Sequence, residues 1–204
     1  MTHQVHAFEP PERFVAGTVG PPGERMFFLQ ARGGGRVVSV ALEKVQVSLL
    51  AEKLEELLAE AQRRFGVDVP ELPGGQSDND PLETPVDEEF RVGTLGLAFD
   101  VDTSTVVIEA IAVGEPESEP ESEPDSADAD AVAALLADAE DADADDADDP
   151  GLDRLRVRLT PAATRGFIDR ARRVVAAGRP PCPLCGQPLD PRGHLCPRNN
   201  GYHR

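Results

Sequence analysis

The sequence is poor in the residues that build large aromatic cores: among 204 residues it has no Trp, one Tyr and two Met. No apolar run reaches the roughly 18 residues that a membrane-spanning helix requires, so such a helix is excluded. The first residues also lack the basic and apolar regions of a signal peptide. These absences predict a cytoplasmic protein that makes no membrane contact.

Basic side chains are absent from residues 115–150, a segment that holds 16 of the 38 acidic residues. Its Glu-Pro, Glu-Ser and Ala-Asp repeats combine charge repulsion with little apolar surface, which predicts a disordered insertion. Most of the net charge of −18 therefore comes from this one segment. Residues 151–204 carry the opposite sign, with 11 Arg against three Asp, a net of +8.

Apolar and β-branched runs bounded by Gly and Pro predict strands. These runs cover residues 13–19, 25–31, 36–42, 90–99 and 105–113. The Gly-rich stretches between the first three are typical of hairpin turns rather than of phosphate-binding loops, because they lack a P-loop ending. An Asp-rich turn, residues 100–104, separates the last two.

Two amphipathic helices are predicted. Apolar residues at spacings of three and four run from about Ser48 to a stop at Gly66. Alternating Leu, Val and Arg over residues 155–159 predict a half-buried strand, after which Thr160 as N-cap and Pro161 open the second helix, predicted to end at Gly178. The fold class is therefore α+β, with a mostly antiparallel sheet in one domain, residues 1–114 and 151–180. Residues 181–204 form a separate unit.

That C-terminal unit contains all three cysteines, Cys182, Cys185 and Cys196, together with His194. A Cys-x-x-Cys pair directs two thiolates at one point, and residues 190–193 match a type I turn that folds the second pair back over the first. The result is a closed Cys₃His set. The sequence therefore predicts a zinc knuckle with one structural Zn²⁺.

Three alternatives to this site remain open. Cys182 and Cys185 alone could form a dithiol redox pair, which would leave the spacing of His194 and Cys196 as coincidence. A catalytic zinc would need a displaceable ligand. His203 could also replace His194 as the fourth ligand.

The basic C-terminal section suggests a face for anions or nucleic acid. Its candidate contacts are Arg154, Arg156, Arg158, Arg172, Arg173 and Arg198. The alternative is a solvated face partly paired with the acidic insertion. Scarce aromatics weaken the nucleic-acid interpretation, because proteins that bind single strands usually stack bases on aromatic rings.

Five stretches of the sequence resemble a known family. Residues 8–20, 27–32 and 39–44 resemble the opening of a conserved-hypothetical actinobacterial family, a domain of unknown function. Residues 155–161 and the tail, residues 182–202, beginning Cys-Pro-Leu-Cys-Gly, resemble its closing half. The resemblance implies a cytoplasmic location and no established activity. Genes of the family tend to lie near genes for mycothiol biosynthesis and for a histidine-phosphatase-like protein.

Three functions are compatible with these observations. The first is a zinc-stabilised, non-catalytic binding or adaptor protein with a protein partner. The second is an enzyme near mycothiol or phosphate metabolism, with a pocket built from scattered N-terminal residues. His6, Glu9, Glu12 and Arg13 are the least implausible cluster for it, although His6 is expected in a flexible terminus. The third is a nucleic-acid-binding accessory protein that uses the Arg-rich section. The sequence predicts neither the partner nor the oligomeric state.

Overall fold

The computed structural model describes residues 3–21, 23–70, 78–114, 136–138, 151–178, 182–185 and 198. Within these ranges the chain forms eight strands and two helices. The strands are β1 (Val5–Phe8), β2 (Arg13–Val19), β3 (Met26–Gly33), β4 (Arg36–Leu42), β5 (Glu88–Asp100), β6 (Thr105–Ala112), β7 (Leu136–Asp138) and β8 (Arg154–Leu159). The helices are α1 (Lys44–Phe65) and α2 (Pro161–Ala176). Neither described helix is long and apolar enough to cross a membrane.

Seven strands form one mixed sheet in the order β1-β8-β6-β5-β4-β3-β2. The α+β class is confirmed, but the prediction of a mostly antiparallel sheet is wrong, since β1 pairs with β8 and β4 with β5 in parallel. The β4–β5 pairing is parallel because α1 lies between these strands in the chain and returns it to the same end of the sheet. The hairpins β2–β3, β3–β4 and β5–β6 are antiparallel, as predicted.

Strand β1 lies in the N-terminal segment, which is predicted to be flexible, and that prediction is wrong for residues 5–8. The strand pairs with β8, whose Arg154 lies opposite Val5 although 149 positions separate them in the chain. A pairing between such distant segments leaves no local sequence signal. It buries His6 on the core side of the sheet, where the residue is 4% exposed.

The sheet curls, because β1 and β2 follow each other in the chain but form its two opposite edges. A flat sheet of seven strands would separate these edges by about 29 Å. The connection of four residues spans at most about 17 Å. The backbone N–H of Glu12 in this connection donates to the carbonyl of Arg32 at 2.8 Å, and the guanidinium of Arg36 lies 5.4 Å from the ring centre of Phe8.

Both helices pack on one face of the curled sheet and bury a single core. Leu50, Leu54 and Leu58 on α1 follow the predicted helical spacing and are fully buried. On α2, the ring of Phe167 stacks on that of Phe14 in β2 with ring centres 4.8 Å apart. The core therefore joins the two edges of the sheet to both helices.

The helix ends test the predicted capping. Helix α1 begins at Lys44, earlier than the apolar spacing predicts, because the side-chain oxygen of Gln46 accepts a hydrogen bond from the backbone N–H of Glu43 at 2.7 Å. It ends at Gly66 as predicted, with φ of 66°, a conformation that favours glycine. Thr160 caps α2 as predicted, but this helix ends at Ala176, before the predicted Gly178.

Only three residues of the acidic segment are described. They form β7, which pairs in parallel with the second half of β5, Leu95 opposite Leu136. The remainder of the predicted disordered insertion, residues 115–135 and 139–150, lies outside the described residues.

The second face of the β2–β4 half of the sheet is covered by a loop, residues 78–86. Leu82 in this loop packs against Val15, Phe28 and Ala41 in a small second core. Gly17 in β2 lies directly beneath it. A Cβ at Gly17 would come within 2.5 Å of the Cγ of Leu82, so only glycine leaves room for this contact.

We expect Gly17→Ala to lower the free energy of unfolding by about 1–3 kcal/mol, because the new methyl group must displace Leu82 from a filled site. Urea unfolding followed by circular dichroism measures this. Gly96→Ala is the matched control, since its Cβ would meet only the Cβ of Glu109 at an ordinary 3.6 Å. Equal stability of the two variants would contradict the packing described here.

Candidate functional site

Two of the four predicted zinc ligands, Cys182 and Cys185, are among the described residues. Residues 183–185 form a turn. Cys182 is 6% exposed and Cys185 is partly exposed. His194, Cys196 and the alternative ligand His203 lie outside the described residues. Among the residues that are described, no group of three or more His, Cys, Asp or Glu is arranged to hold a metal ion.

The approach to this turn is anchored to the body of the protein. Helix α2 ends with the backbone N–H of Ala177 donating to the carbonyl of Arg173 at 2.9 Å. The guanidinium of Arg25, from the β2–β3 hairpin, donates to the carbonyl of Ala177. A cation at this position suits the negative end of the helix dipole. The first cysteine therefore follows a fixed helix end by only five residues.

The Arg side chains of β8 alternate with its buried residues as the sequence predicts, on the sheet face away from the helices. Arg156 donates to Glu109 on the neighbouring strand at 2.6 Å. Arg158 donates to Asp100 at 2.6 Å and lies 3.3 Å from Glu9. The positive charges of Arg156 and Arg158 are thus balanced by three carboxylates, those of Glu109, Asp100 and Glu9.

The predicted basic residues of α2 lie on a different surface. Arg172 donates to Glu55 on α1 at 3.2 Å, and Arg165 donates to the same carboxylate at 3.4 Å. These bonds, that from Arg172 above all, lower the pKa of Glu55. Arg173 donates to the side chain of Asn79. Arg198 is exposed in a turn. Arg156 and Arg158 therefore lie on a sheet face, whereas Arg172 lies on the α1–α2 surface.

The densest polar cluster of the described structure was not predicted from the sequence. Arg170 on α2 is buried and donates from Nε to the carbonyl of Ala16 at 2.8 Å and from Nη1 to Asp78 Oδ1 at 2.7 Å. It also donates to the carbonyls of Asp78 and Asp80, at 2.8 and 2.7 Å. Burial lowers the pKa of Arg170. One guanidinium thus links α2, the edge strand β2 and the loop 78–86.

A second guanidinium completes this cluster from β2. Arg13 donates to both carboxylate oxygens of Asp78, at 2.6 and 2.9 Å, and to the carbonyls of Asp80 and Pro81. The hydrogen bond from Arg13 is the largest of the effects that lower the pKa of Asp78. Because every partner is already engaged, the cluster suits holding a loop in place better than proton transfer.

The loop of residues 78–86 is also held at Glu83, by hydrogen bonds with a buried amide and with a guanidinium. The amide of Gln30, which is 1% exposed, donates to Ser39 at 3.0 Å and to the carbonyl of Glu83 at 3.1 Å, and it accepts from the N–H of Glu83 at 2.8 Å. Arg32 donates to the carboxylate of Glu83 at 2.8 Å. A loop held by so many bonds forms a rigid part of the fold.

The N-terminal residues considered for an enzyme do not converge. Glu9 pairs with Arg158, Glu12 accepts from the N–H of Gly34 at 3.2 Å, and Arg13 belongs to the Asp78 cluster. His6 points instead into the core, where its Nε2 lies 3.7 Å from the carboxylate of Glu89. Glu12 and Arg13 are linked through Arg32 and Glu83, whereas Glu9 and His6 lie in two other environments.

Asp100 ends β5 in the turn predicted over residues 100–104. Its pKa is lowered to about 2, first by the hydrogen bond from the backbone N–H of Thr103, at 3.1 Å, and then by the bond from Arg158. Since folding depresses this pKa from the ordinary 3.8, the ionised carboxylate stabilises the fold above pH 3.8. That contribution is lost as the pH falls from 3.8 towards 2.

We expect the carboxyl carbon of Asp100 to titrate near pH 2 in an NMR experiment, because the folded protein favours the ionised form. The Arg158→Gln variant should raise the pKa only in part, since the larger contribution of Thr103 remains. In unfolding experiments, the advantage of the native protein over Asp100→Asn should shrink between pH 4 and pH 2. Titration near 3.8 would contradict this account.

Comparison with known proteins adds one finding. A family model described as "Protein of unknown function (DUF3090)" matches residues 6–196. The chain belongs to the DUF3090 family. The match spans most of β1, the acidic segment and both cysteines of the Cys-x-x-Cys pair, so the DUF3090 unit includes nearly all of the sheet, both helices and most of the tail. No curated protein and no solved structure matches the chain.

Proposed function

We propose that this DUF3090 member is a zinc-stabilised, non-catalytic binding protein whose C-terminal knuckle docks a protein partner. The observation that carries the proposal is the turn that follows α2, in which Cys182 is buried and Cys185 is partly exposed. A Cys-x-x-Cys pair in one turn is the arrangement that a tetrahedral zinc site uses for half of its ligands. His194 and Cys196 would supply the other half.

A closed Cys₃His set supports a structural role for the metal. With four protein ligands, zinc has no open position for water or substrate, and its binding energy serves to fold a segment too short for its own core. Zinc is therefore proposed as a folding element of the last 23 residues. The tail could then present Leu184, which is 50% exposed between the cysteines, to a partner.

The polar clusters of the body also favour binding over catalysis. Enzymes usually combine an acid or base of shifted pKa with an open, correctly placed neighbour. Here the carboxylates whose pKa is lowered, Glu55, Asp78 and Asp100, are each engaged by arginines of the fold. These contacts support a scaffold that holds the tail at the end of α2.

Affinity capture tests the docking function. We expect the full-length protein to recover a specific protein from an actinobacterial lysate, and Cys185→Ser to recover much less of it. The control is Leu184→Ser. It changes a proposed partner contact but leaves the zinc ligands intact, so it separates the effect of the contact from that of the metal. Recovery should survive nuclease treatment.

Two results would overturn the proposal. If nuclease abolishes recovery, the captured species is held through nucleic acid and the Arg-rich section becomes the binding surface. If the wild-type protein and Cys185→Ser recover the same partner equally, docking does not depend on the knuckle.

A further inference from the structure

A cavity of about 550 Å³ lies between the β2–β3 hairpin, the first residue of α1 and the end of α2. Phe27, Val175 and Ala176 give it an apolar wall, and Arg25 and Lys44 contribute its cations. The Nζ of Lys44 lies over Gly178, 3.8 Å from the position that a Cβ would take there. This volume is in the range of small-molecule sites.

The two cationic side chains of this cavity differ in their partners from most other cationic side chains of the described structure. Arginines elsewhere in the fold, such as Arg32, Arg156 and Arg158, pair with carboxylates. Arg25 instead bonds a backbone carbonyl, and Lys44 makes no ion pair with a described residue. Their positive charge is therefore not balanced by a carboxylate of the described chain.

Arg25 retains most of its hydrogen-bonding capacity. Its guanidinium carries five N–H donors, of which one described bond, to the carbonyl of Ala177, uses a single nitrogen. That bond also fixes the orientation of the side chain, so its remaining donors are preorganised at the cavity. Lys44 adds three donors on a side chain that begins at the first residue of α1.

We propose that this cavity binds a small organic anion, one in which a carboxylate, phosphate or sulfonate is joined to an apolar group. The anionic group would accept hydrogen bonds from Arg25 and Lys44, and the apolar group would cover Phe27 and Val175. The lining of this site contains none of the proposed zinc ligands, although Arg25 also anchors the end of α2 that leads to the tail.

Fluorescence titration of the full-length protein with 8-anilinonaphthalene-1-sulfonate tests the site. This probe joins a sulfonate to two aromatic groups, and the neutral N-phenyl-1-naphthylamine offers the same aromatic groups without the charge. We expect one binding site for the anion and clearly weaker binding of the neutral analogue. Inorganic phosphate should displace the anion at concentrations at which an equal ionic strength of NaCl does not.

Variants locate the binding. Lys44→Gln and Arg25→Gln should each weaken binding of the anion about tenfold, as loss of one hydrogen bond to a charged group predicts. Lys53→Gln is the matched control, since Lys53 lies on the same helix but pairs with Glu56 at 2.8 Å, and it should leave binding unchanged. If Arg25→Gln fails to fold because Ala177 loses its donor, Lys44→Gln alone decides. Equal effects of the Lys44 and Lys53 variants, or equal affinity for the neutral analogue, would overturn the proposal.

Discussion

Replacement of Arg170 by methionine should lower the free energy of unfolding by about 3 kcal/mol or more, because each buried acceptor left without its donor costs about 1–3 kcal/mol. The side chain of Arg170 is 8% exposed, and its bond to the carbonyl of Ala16 is buried, so water has little access to that acceptor. Its loss leaves the carbonyls of Ala16, Asp78 and Asp80 without this donor. Methionine keeps the apolar stem of the side chain but not the guanidinium, so the effect combines the lost polar contacts with the volume of that group.

Urea unfolding followed by circular dichroism at the helical band measures the change. Arg172→Met is the matched control on the same helix, because its pairing with Glu55 is half exposed and such pairs contribute about 1 kcal/mol or less. Arg170→Lys should fall between the two, since an ammonium keeps the charge but cannot reach all four acceptors. Losses of similar size for Arg170→Met and Arg172→Met would contradict the role assigned to the cluster.

Local patterns predicted the elements whose signals are local. The bounds of β2 and β4 match the predicted runs, Gly66 ends α1, and Thr160 caps α2. What local patterns could not predict are the parallel pairings. The β1–β8 pair joins two strands that are far apart in the chain, so no local turn in the sequence predicts it. The mixed sheet therefore emerges only from the tertiary fold.

The Asp78 cluster was missed for a related reason. Asp78 lies in a loop rich in Pro, Gly and Asp, 92 positions before Arg170, and nothing in the sequence connects the two. Charge counts had the same weakness for β8. They predicted that its arginines form a basic outer face, and the alternation was confirmed, but Glu109 and Asp100 on neighbouring positions balance that face.

The second large expected effect is the loss of zinc when one of its predicted ligands is replaced. The full-length protein should contain one equivalent of zinc by elemental analysis, and Cys185→Ser should reduce this to a small fraction. Because binding of structural zinc contributes on the order of 10 kcal/mol to folding of its segment, loss of one ligand should unfold the tail. Trypsin should then cut the Arg192–Gly193 bond, between the two ligand pairs, at least about a hundredfold faster.

Three comparisons make this result specific. Leu184→Ser alters the same turn without removing a ligand, so its zinc content should equal that of the native protein. His194→Ala and His203→Ala identify the fourth ligand, because only the ligating histidine should lower zinc content and open the Arg192–Gly193 bond to trypsin. Urea unfolding of the body should be the same in all of these variants, since its core lies in the sheet, α1 and α2. Full zinc content in Cys185→Ser would remove the basis of the proposed knuckle, whereas destabilisation of the body by that variant would show that the tail is part of the same folding unit.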